Sequence, residues 1–296
     1  MATRTTRATP PARATPATRS PGPRGGSSAL PPVRFRDLAG AEWIKIRSLR
    51  STAWALGLVV LFVLGASAVA ALADYRGFPE MDPRQQAEHV FSLHDAFPPE
   101  GYLVLMLAAG TLGAISIVGE YGSGLIRTTT AAVPARGSVI LAKAAVLTLL
   151  WGAVGTGVAT GSFLISQGIL DGRNAAIGLT GPGAPGALAA SALLGPVCAL
   201  VGLGLGTLIR HAATSVLAGF LVLLILPMLL LPADNRSTAG LNHTLVLSAW
   251  QRLTRTWGSP SAVDHYASYA GSWAVYALWP LVAVALALMV VRRRDV

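Results

Sequence analysis

A chain of 296 residues that is 53% apolar and only 12% charged, with 32 glycines, lies outside the range of soluble globular proteins, in which roughly a quarter of residues are charged. Its single cysteine, Cys198, sits inside an apolar run, which excludes a disulfide framework and a thiolate metal site. The formal charge of +10 raises the question of nucleic acid, but the placement of the cations along the chain matters more than their sum.

Residues 1–32 hold seven prolines, five arginines and no carboxylate, a composition that predicts a disordered tail. The basic region of 50 residues and the apolar run of 23 that follows are both too long for a cleaved signal peptide. Residues 33–50 predict an amphipathic interfacial helix. At 100° per residue Phe35, Leu38, Ala39, Ile46 and Leu49 share one face, while Arg34, Arg36, Asp37, Lys45 and Arg47 project elsewhere. Glu42 falls in the middle of the apolar face, where lipid alone would not favour it. Either it reaches Lys45 one turn on, or it faces a protein partner or another part of this chain.

Residues 51–296 predict an all-α membrane domain of six transmembrane helices. Six stretches are long enough to cross a hydrocarbon core, and all but the third, which holds Lys143, lack Asp, Glu, Lys and Arg: 51–73, 101–119, 139–167, 187–209, 212–233 and 273–291. Lys143, near the start of the third, is expected to snorkel its ammonium to the headgroups. Only Arg210 and His211 separate the fourth and fifth, which must therefore form an antiparallel hairpin. With the N-terminus inside, 17 of the 23 Lys and Arg fall on the inner side and 6 on the outer, while 9 of the 13 carboxylates fall outside. The positive-inside bias places both termini in the cytoplasm. Membrane topology then accounts for the net charge without nucleic acid.

The outer loop 74–100 is acidic and contains His89 and His94, whose spacing of five does not put them on one helical face for a metal. Between the fifth and sixth spans, residues 244–257 predict an outer interfacial or re-entrant helix. Leu245, Val246, Ala249, Trp250, Leu253 and Trp257 fall on one side, and Gln251, Arg252 and Arg255 on the other. Such a helix caps the bundle or belongs to an exit path. No ionisable side chain lies near the middle of any span, so proton relays and ion coupling have no obvious seat. Gly157 with Gly161, and Gly202 with Gly206, have the spacing that lets helices approach closely. Pro196 and Pro227 are expected to kink their helices.

No GxxxxGK[ST] sequence occurs, and Lys45 and Lys143 are the only lysines beside 21 arginines, so the chain holds no phosphate-binding loop. Gly65 and Ser67 form the start of a serine-protease-like motif, but all five histidines lie outside the spans, where none could serve that serine as a base. The chain is therefore expected to be no enzyme and to hold no cofactor of its own. Between the second and third spans runs a short, glycine-punctuated connector, GEYGSGLIRTTTAAVPARGSVILAK. It carries Glu120, Arg127, Arg136 and Lys143 around a run free of Gly and Pro at 125–133, long enough for a helix lying flat on the membrane surface.

These residues resemble a family. Glu42-Trp43-x-Lys45-x-Arg47-Ser48-x-Arg50-Ser51-Thr52-x-Trp54 before the first span, and Glu120-Tyr121-x-Ser123-Gly124 with Arg127, Pro134, Arg136 and Lys143 after the second, look like the permease subunit of the type-2 ATP-binding-cassette exporters, in the version common in actinobacteria. The resemblance covers about residues 34–296. It implies a multi-pass protein of the bacterial plasma membrane, driven by a separate ATPase subunit that binds ATP and Mg. It also implies a second permease copy or sister permease as partner, with the translocation path between the two. The connector helix would be the coupling helix seated in a cleft of the ATPase, with the amphipathic helix beside it. The partner-facing residues would then be Glu42, Trp43, Lys45, Arg47, Glu120, Arg127, Pro134, Arg136 and Lys143. Thr128, Thr129 and Thr130 are poor helix formers, so the connector helix is expected to be marginal until docked. Glu120 could pair with Lys143 or with Arg127. The alternative of a different class is a membrane anchor or binding subunit that transports nothing.

Overall fold

The computed structural model describes residues 34–83, 86, 90–122, 136–230, 236–254 and 268–293, and every element it describes is helical. Six helices are long and apolar enough to cross a membrane, and the chain is a multi-pass membrane protein. In chain order the long helices are Arg50–Gly77, Pro99–Gly122, Arg136–Leu170, Ala184–Ile209, the interrupted Ala212–Phe220 with Leu226–Leu229, and Tyr269–Arg293. They are the six predicted spans, several of them extended by a turn or more at the ends. Hydropathy marks only the part immersed in hydrocarbon, whereas the helix itself continues into the polar interface, where its backbone remains internally bonded. The amphipathic segment forms the helix Phe35–Ser48. The coupling helix expected at 125–133, with Arg127 and Pro134, and Trp257 of the outer helix lie outside the described residues, as do both chain termini.

The fourth span is the axis of the bundle. Two thirds of its apolar window (67%) is buried inside the protein, against 22% for the first, fifth and sixth spans. A lipid tail is as apolar as leucine, so helices in a bilayer associate by close contact rather than by hydrophobic expulsion. The contacts here use glycine. A methyl group added at Gly202 would run into the backbone carbonyl of Gly110 on the second span, one at Gly113 into that of Ala199, and one at Gly155 on the third span into that of Ala192. Of the two predicted glycine pairs, Gly202 and Gly206 serve this packing. Gly157 instead has open space around it and Gly161 meets only Leu64. The third span makes its approach two residues before Gly157, on the opposite face of the helix.

The turn between the fourth and fifth spans closes with Arg210 in the left-handed region, φ 61°, its N–H donating to the Gly206 carbonyl at 2.9 Å, as the predicted hairpin requires. Pro196 is accommodated inside a continuous fourth helix. Before Pro227 the fifth span loosens into a single π turn, Leu221–Ile225. Proline has no N–H and crowds the preceding turn, and a widened turn relieves that crowding. The Pro227 carbonyl is taken up by the Asn242 side-chain amide at 3.0 Å.

The glycine seams yield a direct expectation. Gly202→Ala and Gly113→Ala should each lower the stability of the detergent-solubilised protein by about 1–3 kcal/mol through overpacking, whereas Gly157→Ala should leave it unchanged. Thermal unfolding followed by tryptophan fluorescence distinguishes the two classes, and equal effects at all three positions would contradict the packing described.

Candidate functional site

At the end of the bundle where the N-terminal helix lies, the second span finishes and the third begins, and four charged side chains meet. Lys45 donates to Glu42 Oε1 at 2.6 Å and to Glu120 Oε1 at 2.7 Å. Lys143 donates to Glu120 Oε1 at 3.0 Å and to Glu42 Oε2. The four form a closed ring in which carboxylate and ammonium alternate, and its net charge is zero.

Each member is placed by its own helix. On Phe35–Ser48, Leu38, Ala39, Glu42 and Ile46 recur at three- and four-residue steps, and this is the face turned to the bundle, with Glu42 its one buried residue. The expected amphipathic face is therefore right, while its outer members Phe35 and Leu49 remain half exposed. Glu120 sits in the last turn of the second span and Lys143 two turns into the third. Relative exposures of 4% for Glu42, 6% for Glu120 and 2% for Lys143 set the energetic stakes. Three ionised groups out of water cost several kcal/mol each to desolvate, and only mutual pairing offsets that cost.

Lys143 departs from its expected role. It does not snorkel to the headgroups, because its ammonium is enclosed between two carboxylates that reach it from other helices. Glu42 does both things that its position allowed: it takes Lys45 one turn on and also Lys143, which lies 101 residues away. Glu120 pairs with Lys143, as one of its two expected partners. Trp43 and Arg47 are exposed and outside the ring. Arg136 begins the third-span helix, with its side chain outside the described residues.

Lys45 is the ring's most accessible member, with 44% of its side chain exposed. Partial burial lowers its pKa, but hydrogen bonds to Glu120 and Glu42, joined by the attraction of their charges, outweigh burial and hold it above the ordinary 10.5. Both lysines of the chain are used here. A compact ammonium with three donors can bridge two carboxylates on different helices, which the flat fork of arginine does less readily.

The opposite end of the bundle is tied by neutral groups that sequence spacing did not reveal. Ser67 Oγ lies 2.8 Å from the Asp95 carbonyl and 2.9 Å from the Ser162 carbonyl, as donor. Ser162 Oγ contacts the Tyr102 hydroxyl at 3.0 Å. The helix Val246–Thr254 buries Val246, Leu247, Ala249, Trp250 and Leu253. Its Trp250 donates to Ser191 Oγ at 3.1 Å and stacks on Tyr102 at 5.1 Å. Ser67 is thus a fully buried structural donor, and its signal lay in burial rather than in the motif around it.

No family model matches the chain, and no curated protein matches its sequence significantly.

Two measurements test the ring. Glu120→Gln leaves a surplus buried ammonium and Lys143→Met a surplus carboxylate, so each should cost about 3–5 kcal/mol. The double variant keeps the neutral Glu42–Lys45 pair and should be less damaging than the sum by about 1–3 kcal/mol; strict additivity in chemical unfolding would show that the ring is not one unit. The second measurement is alkaline stability. Because Lys45 titrates above 10.5 when folded, its contribution is complete below that value and is lost as pH rises through the folded pKa. The melting temperature of the wild type should therefore fall more steeply above about pH 10.5 than that of Lys45→Met.

Proposed function

We propose that the chain is the membrane-spanning permease subunit of an ATP-binding-cassette exporter. In this reading two permease chains enclose the path, and ATP hydrolysis in a separate subunit drives it. Both termini and the connector 123–135 are cytoplasmic. The observation that carries the reading is the ring of Glu42, Lys45, Glu120 and Lys143. The connector leaves the second span three residues after Glu120 and enters the third before Lys143. Both of its roots are therefore bonded to the N-terminal helix and to each other.

The mechanical consequence follows from the chemistry. Pulling Glu120 away from Lys143 would expose a low-dielectric site to an unpaired charge, which is costly. A push on the connector therefore moves the inner ends of the second and third spans together with the N-terminal helix, rather than bending the connector alone. Arg127 and Arg136 offer bidentate partners for carboxylates on the ATPase, and the ATP and Mg chemistry belongs wholly to that subunit. Spans without central charge fit an apolar or amphiphilic cargo better than a small ion. The close-packed second, third and fourth spans form the unit that turns.

The test is assembly and ATP-dependent export when the chain is co-expressed with an ATP-binding-cassette ATPase from the same genome. Arg127→Glu with Arg136→Glu should leave membrane insertion intact while reducing co-purification of the ATPase and ATP-dependent export at least tenfold, about 1.4 kcal/mol or more at the interface. Undiminished export, or a cysteine at 127 labelled only from outside the cell, would remove the coupling role and leave a membrane anchor as the better reading.

A further inference from the structure

The short helix Val90–Ala96 lies at the end of the bundle opposite the charged ring, packed against the first and third spans. Leu93, Ala96 and the following Phe97 are buried, and the Asp95 carbonyl takes the Ser67 hydroxyl. The Asp95 side chain is itself only 1% exposed. Its Oδ1 lies 3.8 Å from His94 Nδ1, and its Oδ2 meets no donor. What reaches this carboxylate is another carboxyl group. Asp74, the residue that ends the uncharged run of the first span, is hydrogen-bonded to Asp95 through its side chain.

Two ionised carboxylates can accept but not donate, so a hydrogen bond between them requires that one hold a proton. A proton on Asp74 supplies the donor that Asp95 lacks and leaves Asp95 ionised beside His94. Burial, then the charge of Asp95 and the hydrogen bond with it, push the Asp74 carboxyl up to about 6, against the pull of His94. The hydrogen bond to Asp95 holds His94 above its ordinary 6.5 in spite of burial, and the charges of Asp95, Glu100 and Asp74 add to it.

The other charged groups nearby are turned elsewhere. Arg76, Glu80, Asp82, Glu100 and Asp171 are exposed. Arg173 lies over the Tyr75 ring, 4.7 Å from its centroid, as Arg210 lies over Tyr121 at 4.8 Å at the other end. Arg84, Glu88 and His89 lie outside the described residues. Among the described residues only Asp95 and His94 act on Asp74 by charge.

We propose that Asp74, His94 and Asp95 form a pH-sensitive latch, which holds the helix Val90–Ala96 to the end of the first span in acid and slackens as that end of the protein meets neutral solution. In acid the trio is neutral, with one proton shared by the carboxyls and a second on His94. Once both protons have left, two negative charges share a partly buried site, and the helix keeps only its apolar contacts and the Ser67 bond. In the orientation read from the cation bias this end faces outward, so the latch responds to external pH. A divalent cation could bridge the same carboxylates, but no group of three metal ligands gathers among the described residues. The latch rests on no assumption about transport.

Hydrogen exchange of the full chain in detergent, followed by mass spectrometry, provides the test. Protons held more tightly in the closed state favour closure below the ordinary carboxyl range, and that advantage fades as pH rises through about 6 for Asp74 and above 6.5 for His94. After correction for the intrinsic rate, amides of 90–97 should therefore exchange about tenfold faster at about pH 8 than at about pH 5, while those of 184–209 stay unchanged. Asp74→Asn, whose amide can donate to Asp95 at any pH, should keep the protection at pH 8 and remove most of the difference. His94→Gln should retain the step near pH 6 and lose the part above it. The proposal is overturned if exchange at 90–97 is independent of pH or slows as pH rises, if Asp74→Asn keeps the full difference, or if 184–209 changes in parallel, which would mark global loosening. Restoration of protection at pH 8 by calcium or magnesium would also overturn it, marking a cation site instead.

Discussion

An alternating ring of two carboxylates and two ammoniums is the constraint on which one whole end of this protein depends. Charges buried beside a bilayer cannot be left to water, and each of Glu42, Glu120 and Lys143 is enclosed. Their only low-energy arrangement is the one in which every charge has neighbours of opposite sign. Because the four come from three separate helices, satisfying them fixes the height and rotation of all three at once. Apolar packing could not do this alone, since it is non-directional and tolerates a slip of one turn.

The remainder of the bundle is organised by nearness of backbones. Along the fourth span, Gly202 facing Gly110, and Ala199 facing Gly113, bring main chains together, so that dispersion contacts replace the hydrophobic drive that a membrane withholds. At the end opposite the ring, buried hydroxyls and an indole do by hydrogen bonding what the ring does by charge. Ser67, Ser162, Tyr102, Ser191 and Trp250 connect the first four spans to the helix Val246–Thr254. The molecule thus has a pinned centre of second, third and fourth spans. Around it the first, fifth and sixth are less enclosed and present most of their surface to whatever surrounds the protein.

That division bears on how an inert bundle can respond to force. No ionisable side chain lies at mid-depth of the spans, where proton relays and ion coupling commonly sit. What the structure shows is that the end of the second span and the start of the third share one set of ion pairs with the N-terminal helix.

By itself the sequence determined the number and order of the spans, the hairpin at Arg210 and His211, the helical N-terminal segment with Glu42 at the centre of its inward face, and the apolar face of the helix near Trp250. All of these follow from periodicity and from the length of uncharged runs, which are local properties of a chain in a membrane. Only the tertiary structure decided that Glu42 has two lysines rather than one, that Lys143 turns inward instead of toward headgroups, that Gly155 rather than Gly157 makes the third span's close approach, and that Arg210 lies over Tyr121. Each of these depends on which helix stands beside which and at what rotation. A pairing across 101 residues leaves no trace in the spacing of either partner, because it is the packing of the bundle that brings the two within reach.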